Sequence, residues 1–246
     1  MRFGKIDYLN MLPFDVFIKS YPTPCYFKQF LRLKKTYPSK LNQSFLFRRI
    51  DAGFISSIAG YSFALHSHSL GIVAYKEVLS VLVVDTKNAF DKESASSNAL
   101  SQALGLKGEV LIGNKALQFY YSNPKKDFID LAALWYEKKR LPFVFGRLCY
   151  YKNKDFYKHL SLAFKHQKTK IPYYILKEAA LKTNLKRQDI LHYLQKIYYT
   201  LGKKEQLGLK AFYRELLFKR IQKPKRFQRF AENVGLKFRK GVFKQD

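Results

Sequence analysis

The chain has 246 residues, of which 47% are hydrophobic and 17% aromatic, so it can fold around a sizeable core and is not a disordered basic tail. Its 46 Lys and Arg residues against 18 acidic residues give a formal net charge of +28. No apolar run approaches the ~20 residues that span a bilayer, and the first residues lack the apolar segment of a signal peptide, so we expect a cytoplasmic protein.

The first third of the sequence alternates between strand-like and helix-like segments. A strand over 3–9 runs into the polar Asn10, and a helix begins at Pro13, whose missing N–H is not needed in the first turn. A helix over 41–49, a strand over 51–56 and a short helix from Ser57 follow. Two further strands are predicted over 71–75 and 80–85, because both segments are β-branched and almost continuously apolar, as buried strands are.

A second unit begins after residue 85. It contains a helix over 94–105, a strand over 110–112, a helix over 130–139 and a strand over 141–145. The rest is predicted to be helical, over 155–166, 173–181, 186–201 and 205–220. Within the third of these helices, apolar residues recur with the helical period between 190 and 198. Strands alternating with helices, and then helices alone, indicate a mixed α/β fold whose last helices pack back on the first unit.

Neutral polar side chains recur where predicted strands end and helices begin. They are Asn10, Ser56, Ser57, Ser80, Ser94, Ser96, Ser97, Asn98 and Asn114. Hydroxyls and the free N–H groups of helix N-termini suit a bound carboxylate, because the unsatisfied donors and the helix dipole both favour an anion. One such serine is more often an ordinary helix cap, but their recurrence predicts a shared cleft for a small polar ligand.

Motifs for several other kinds of chemistry are missing. The sequence has no Gly-rich nucleotide-binding loop and no GxSxG turn, and its two cysteines are too few for a disulfide framework or a zinc site. His66 and His68 lack nearby carboxylates or thiolates, which favours a solvated loop over a metal site. The candidate bases are Asp7, Asp51 and Glu77. Asp51 comes shortly after Arg48 and Arg49, which favours a structural ion pair.

The high net charge leaves nucleic-acid binding as an alternative function. Lysines are scattered over nearly every segment, and the densest basic stretch, 219–229, follows the last predicted helix as a tail. The sequence shows no helix-turn-helix, zinc-finger or RNA-recognition signature, so we expect no nucleic acid as the main ligand. A basic surface would also steer a small dianion towards a cleft.

Six segments occur in the order and spacing of one known family. They are GKIDYLNMLPF (4–14), IDAGFISSIAGY (50–61), VLSVLVV (78–84), SASSNAL (94–100), LIGNKAL (111–117) and LPFVFG (141–146). On these segments the chain resembles the chorismate dehydratases of the futalosine route to menaquinone. The resemblance covers nearly the whole chain, including the late stretch 198–216.

The resemblance implies a fold like that of the type II periplasmic binding proteins, with two α/β lobes around a ligand cleft. We expect 1–82 with 172–246 in one lobe and 83–171 in the other. The implied reaction removes water from chorismate to give 3-[(1-carboxyvinyl)oxy]benzoate, with no cofactor and no metal. Asn10 and Ser80 are the expected catalytic residues. The expected substrate-binding residues are Ser56, Ser57, Ser96, Ser97, Asn98 and Asn114.

Because these side chains are neutral, we expect them to position the dianion while one of the substrate's own carboxylates helps to move the proton. The sequence departs from the family's usual pattern at several places. Ser96 replaces a Thr, Asn114 replaces a carboxylate and Arg140 replaces a Gly, and a usual Trp is missing from 146–149. Two alternatives of the same fold stay open: the sister 1,4-dihydroxy-6-naphthoate synthase and an intracellular small-anion binding module.

Overall fold

Two β-sheets organise the chain. The computed structural model describes residues 1–33, 35–62, 67–123, 127–167 and 169–221. The strands are β1 (Phe3–Ile6), β2 (Lys35–Thr36), β3 (Ala52–Ser56), β4 (Ser67–Ala74), β5 (Val81–Val84), β6 (Glu109–Ile112), β7 (Phe128–Asp130), β8 (Phe143–Tyr150) and β9 (Tyr198–Thr200). The first helices are α1 (Leu12–Ser20), α2 (Cys25–Leu33), α3 (Pro38–Leu46), α4 (Ser57–Ser62), α5 (Ala95–Leu104) and α6 (Gly113–Ser122). The later helices are α7 (Leu131–Lys139), α8 (Lys154–His166), α9 (Tyr173–Thr183), α10 (Arg187–Leu194) and α11 (Lys203–Phe218).

The larger sheet has the strand order β2-β1-β3-β8-β4-β9. In this mixed sheet β1 is parallel to β2 and β3, whereas β8 is antiparallel to β3 and β4, and β9 is antiparallel to β4. The smaller sheet has the order β6-β5-β7, and both of its pairings are antiparallel. Two sheets with helices packed against them give the mixed α/β architecture that the sequence predicts.

The pairing of β8 bears on the predicted lobes. This strand lies inside 83–171, the range expected for the second lobe, but it pairs with β3 and β4 in the larger sheet. The smaller sheet instead takes its strands from residues 81–130. The division into lobes stays a prediction, and the strand pairing argues for grouping 143–150 with the N-terminal strands.

The N-terminal strand is shorter than predicted. β1 ends at Ile6, where its pairing with the two-residue strand β2 stops, and a 3₁₀ turn follows at Leu9–Met11. Asn10 therefore lies in this turn, four residues beyond the strand, and Asp7 lies outside the strand that was predicted to contain it. Pro13 is the second residue of α1, which suits its missing N–H.

The prediction of one helix over 186–201 is wrong. α10 ends at Leu194, and residues 198–200 form β9, which pairs with β4 at the edge of the larger sheet. The segment Tyr198–Thr200 is aromatic and β-branched, so it fits a strand once a partner edge is available. The elements α2, α6, β2 and β7 were not predicted, while the other predicted elements overlap those of the structure.

An aromatic core holds α1 and α8 against the larger sheet. The ring of Phe14 on α1 meets the edge of Phe54 on β3 at 5.1 Å and that of Phe164 on α8 at 5.2 Å between centroids. All three side chains are buried, so this packing contributes several kcal/mol to stability. In the described residues, no helix combines the length and the apolar character that crossing a membrane requires.

Candidate active site

A cavity that opens to solvent lies between residues of the larger and the smaller sheet. Its polar lining residues are Tyr8, Asn10, Ser56, Ser80, Ser94 and Ser97. Much of the remaining lining is apolar, with Phe54, Ile72 and Phe145 contributed by the larger sheet. None of the described lining residues carries a charge at neutral pH. A few neutral polar groups converging in an apolar cavity are typical of a site for a small organic molecule.

Ser56 belongs to a wall formed by three neighbouring strands. It pairs with Gly146 on β8, which in turn pairs with Ile72 on β4, so the three residues lie side by side. The buried Asn42 of α3 accepts a hydrogen bond from Ser56 N at 3.0 Å and donates through Nδ2 to Ser56 Oγ. Because Oγ already accepts this bond, the hydroxyl proton of Ser56 can be donated into the cavity.

Asn10, in the 3₁₀ turn, also lines the cavity. Its backbone carbonyl accepts a hydrogen bond of 2.5 Å from Tyr199 Oη, which ties the turn to β9. The side-chain Oδ1 of Asn10 is buried and has no hydrogen-bond partner among the described residues. An unsatisfied buried acceptor costs about 1–3 kcal/mol, so a hydrogen-bond donor that reached this atom would stabilise the site.

Ser80 lies directly before β5 and contacts two other parts of the chain. Its Oγ accepts a hydrogen bond of 3.1 Å from the hydroxyl of Tyr193 on α10. Its carbonyl accepts one of 2.8 Å from Gly113 N at the start of α6. Ser80 is therefore held from both sides, with its own hydroxyl proton available to a ligand.

The turn before Ser80 is stabilised by Asp130, which was not among the predicted site residues. Asp130 Oδ2 accepts hydrogen bonds from Val78 N at 2.8 Å and Leu79 N at 2.7 Å, and Oδ1 accepts from Ala132 N and Ala133 N at the start of α7. Burial raises the pKa of Asp130, and these N–H bonds oppose the rise. Leu79 has a φ of +59°, so the carboxylate holds a strained turn in place. An Asp at the start of the helix predicted over 130–139 was the available signal for this role, and the structure makes it the cap just before the helix.

Two helix N-termini face the cavity. Ser94 caps α5 by accepting from Ser97 N at 3.2 Å, and the two hydroxyls lie 2.9 Å apart. α6 begins at Gly113, whose φ is +58° and whose missing side chain leaves room for the ring of Tyr8. The partial positive charge of these N-termini favours a carboxylate without any charged side chain.

Tyr8 connects the cavity wall to the segment before α5. Its hydroxyl donates a short hydrogen bond to Glu93, and burial together with this bond raises the pKa of Tyr8, so it stays protonated. Ser39 strengthens the same contact, because its N–H donates to the Glu93 carbonyl at 2.9 Å and its Oγ to the Lys92 carbonyl at 2.9 Å. These bonds link α3 and the N-terminal segment to the part of the chain that carries the smaller sheet. Neither Tyr8 nor Glu93 was selected from the sequence.

Two of the predicted binding serines, Ser57 and Ser96, make hydrogen bonds to backbone groups outside the cavity lining. Ser57 Oγ donates to the carbonyl of Val144 on β8 at 2.5 Å, and Ser96 Oγ accepts from Ile58 N at 3.0 Å. Both serines are buried and neither belongs to the cavity lining. In the structure they join α4 to β8 and to α5.

Asn98 and Asn114 also make backbone contacts outside the cavity lining. Asn98 bonds Asp91 twice, accepting from its N–H at 3.0 Å and donating to its carbonyl at 2.6 Å. Asn114 Oδ1 accepts from Leu9 N at 3.4 Å, beside the turn that carries Asn10. These contacts do not place either side chain against a ligand in this cavity.

The three candidate bases form ion pairs and do not line the cavity. They are Asp7 with Lys182, Glu77 with Lys196, and Asp51 with Arg2. The ion pair predicted for Asp51 is confirmed, but its partner is Arg2 at 2.9 Å and not the neighbouring arginines. Burial alone would raise the pKa of Asp51, and the hydrogen bonds from Arg2 outweigh it and hold this pKa below its usual value.

None of the described residues that line the cavity is a histidine. His66 and the side chain of His68 lie outside the described residues. His192 is exposed on α10, with Nδ1 3.0 Å from Tyr121 Oη. Among the residues that the structure describes, no three His, Cys, Asp or Glu side chains are grouped to hold a metal ion. Arg140, at the position where the family usually has Gly, ends α7 with a φ of +53° outside the cavity lining.

Comparison with known proteins places the chain in a family. A family model described as menaquinone biosynthesis matches residues 1–104 and 95–216. The chain is 47% identical over 214 residues to the chorismate dehydratase of Campylobacter jejuni subsp. jejuni, covering 86% of this chain and 96% of that protein. It is 25% identical over 259 residues to the chorismate dehydratase of Thermus thermophilus, covering 82% of this chain and 94% of that protein.

A solved structure supports the fold. The CA3427 gene product of Candida albicans, described as having the generic periplasmic binding protein structural fold, superposes with a TM-score of 0.50 at 10% identity, covering 94% of each chain. At this identity the likeness concerns the fold alone, and it confirms the predicted periplasmic-binding-protein-like architecture. The family match covers most of the chain, and the alignment with the Campylobacter relative covers almost all of that protein. The chain therefore belongs to the menaquinone-biosynthesis family.

Proposed function

We propose that this protein dehydrates chorismate to 3-[(1-carboxyvinyl)oxy]benzoate as a step of menaquinone biosynthesis. The 47% identity to a chorismate dehydratase over 86% of the chain supports this activity, as does the family match. The structural observation that carries the proposal is Asn10, which lines the cavity and whose buried Oδ1 has no partner among the described residues. The ring hydroxyl of chorismate is a donor of the kind that this atom lacks.

Chorismate carries two carboxylates, and the cavity offers neutral donors for them. The hydroxyls of Ser56 and Ser97 and the N-termini of α5 and α6 supply these donors. The apolar side chains of Phe54 and Phe145 line the cavity and can pack against the ring of chorismate. Binding by fixed dipoles avoids a buried ion pair, whose desolvation often cancels its attraction.

The reaction removes a ring proton and the neighbouring hydroxyl as one molecule of water, and the ring becomes aromatic. The described lining offers no carboxylate or imidazole as a base. One of the substrate's own carboxylates therefore helps to move the proton, while Asn10 holds the departing hydroxyl and Ser80 polarises the same region. Orientation of this kind lowers the barrier by several kcal/mol.

The proposal assigns direct roles to the predicted residues that line the cavity, which are Asn10, Ser56, Ser80 and Ser97. Ser57, Ser96, Asn98 and Asn114, which were predicted to bind the substrate, are assigned supporting roles through their backbone contacts. The cytoplasmic location expected from the sequence stays a prediction.

The test is to incubate the purified full-length protein with chorismate, without added metal or nucleotide, and to measure the enolpyruvyl benzoate by liquid chromatography with mass detection. Asn10→Ala is expected to lose at least 100-fold in kcat/KM, since removing one positioned hydrogen-bonding group costs about 2.7–4 kcal/mol in comparable sites. Asn123→Ala, outside the cavity, is the matched control. Binding of chorismate without product would favour the small-anion binding module, and full turnover by Asn10→Ala would refute the assigned site.

A further inference from the structure

A second cavity lies between α8, α11 and the strands β4 and β8. It shares no lining residue with the candidate active site and opens to solvent. Its cationic lining residues are Arg147, Lys154, Lys158 and Lys210. None of the lining residues that the structure describes is acidic. A concave surface with cations and without carboxylates concentrates a positive potential.

The two helices each turn one face towards this cavity. On α8, Lys154, Lys158 and Ser161 are spaced at i, i+4 and i+7, which places them on one side of the helix. On α11, Gln206 and Lys210 have the same four-residue spacing. Lys158 and Lys210 thus line the cavity from two different helices.

Arg147 lines the cavity from the larger sheet. It lies on β8, an interior strand of the larger sheet, and its side chain is half-buried, whereas Lys158 and Lys210 are exposed. One terminal nitrogen lies 3.4 Å from Ser67 Oγ, and Nε is buried without a hydrogen-bond partner among the described residues. A guanidinium withdrawn from water without a carboxylate is unfavourable, and its fork of N–H groups matches the oxygens of a phosphate or carboxylate.

We propose that this cavity is a second binding site, which takes a small, multiply charged anion through phosphate or carboxylate groups. Arg147 holds one anionic group inside the cavity, and Lys158 and Lys210 hold the others at its opening. The site is separate from the candidate active site, so it does not depend on the proposed dehydration of chorismate. Its exposed lysines allow it to be tested without disturbing the core.

The test is isothermal titration of the full-length protein with inorganic pyrophosphate, without divalent metal and at constant ionic strength. The double variant Lys158→Gln/Lys210→Gln is expected to bind pyrophosphate at least tenfold more weakly. The matched control is Lys177→Gln/Lys186→Gln, which removes the same charge from exposed positions outside the cavity and is expected to stay within twofold of the wild type. Arg147→Lys, which keeps the charge but loses the fork, is expected to weaken binding as well.

Two outcomes would overturn the proposal. One is the absence of saturable binding, or an equal loss in both double variants, because the protein's overall charge would then explain the interaction. The other is loss of pyrophosphate binding in Asn10→Ala, because that result would place the anion in the candidate active site. Citrate as a second probe distinguishes the sources: preference for pyrophosphate indicates a phosphate ligand, and preference for citrate indicates a polycarboxylate.

Discussion

The hydroxyl of Tyr193 donates a hydrogen bond to Oγ of Ser80 across 3.1 Å, joining α10 to the residue that precedes β5. Tyr193 is buried, and burial raises its pKa, so it is a protonated donor at neutral pH. This bond fixes the rotamer of Ser80 and leaves the serine proton for an acceptor in the cavity. We therefore expect Tyr193 to act through Ser80 as a positioning residue.

Tyr193→Phe removes only this hydroxyl. We expect kcat for chorismate to fall about 3- to 10-fold with little change in KM, since one such hydrogen bond contributes about 0.5–1.5 kcal/mol. Steady-state kinetics of the variant measure the effect. In the background of Ser80→Ala the same change is expected to have no further effect on kcat, and additive losses would show that Tyr193 does not act through Ser80.

Asn42→Ala tests how the wall at Ser56 is held. Because Asn42 satisfies both the N–H and the hydroxyl oxygen of this buried serine, we expect the free energy of unfolding to fall by about 1–3 kcal/mol and KM for chorismate to rise. Urea denaturation and kinetics measure the two effects. Ser56→Ala keeps the bond from the backbone N–H and is expected to lose less stability, and the reverse order would contradict this account.

Gly113 and Gly105 form a natural pair for testing the contact with Tyr8. Both have positive φ, +58° and +75°, so alanine at either position is strained by about 1–2 kcal/mol. A Cβ at Gly113 would lie 3.0 Å from the Tyr8 ring, whereas a Cβ at Gly105 would meet nothing within 4 Å. We expect Gly113→Ala to lose more stability and to raise KM, and Gly105→Ala to leave KM unchanged. Equal effects on both measurements would rule out a role for the contact.

Asp15 predicts a dependence of stability on pH. Burial raises its pKa from 3.8 to about 6, although the ion pair with Lys5 opposes the rise. The folded state therefore binds this proton more tightly than the unfolded state, and the contribution is fully present below about pH 4 and is lost as the pH rises through 6. Asp15→Asn is expected to remove this fall in the free energy of unfolding. Denaturation of the variant and the wild type between pH 4 and pH 7 measures the effect.

Asp51→Asn is the control of opposite sign. The pKa of Asp51 is held below its usual value by Arg2, so its contribution is present above that value and is lost as the pH falls. The difference in stability between this variant and the wild type is therefore expected to change only below about pH 4. A constant difference between Asp15→Asn and the wild type across pH 4 to 7 would contradict the raised pKa of Asp15.

Local sequence was sufficient for the elements whose signals lie within them. The apolar runs of β4 and β5 predicted buried strands. α5 was predicted from its serine-rich start, where Ser94 is the cap, and Gly105 ends the helix in the left-handed conformation. The wrong predictions concern strands whose length or existence depends on the strand they pair with. β1 stops at Ile6 because β2 is only two residues long, and β9 is a strand because β4 offers an edge.

The sequence by itself determined the α/β class, the family and the neutral character of the polar residues around the cleft, because these depend on composition, periodicity and ordered motifs. Only the tertiary structure decided which of those residues meet. The carbonyl of Asn10 accepts a hydrogen bond from Tyr199, 189 positions away, and Ser80 accepts one from Tyr193, 113 positions away. Asp130, Asn42 and Arg147 likewise make hydrogen bonds to residues that are not their neighbours in sequence. Hydrogen bonds over such separations arise from packing of the whole chain, on which local propensity carries no information.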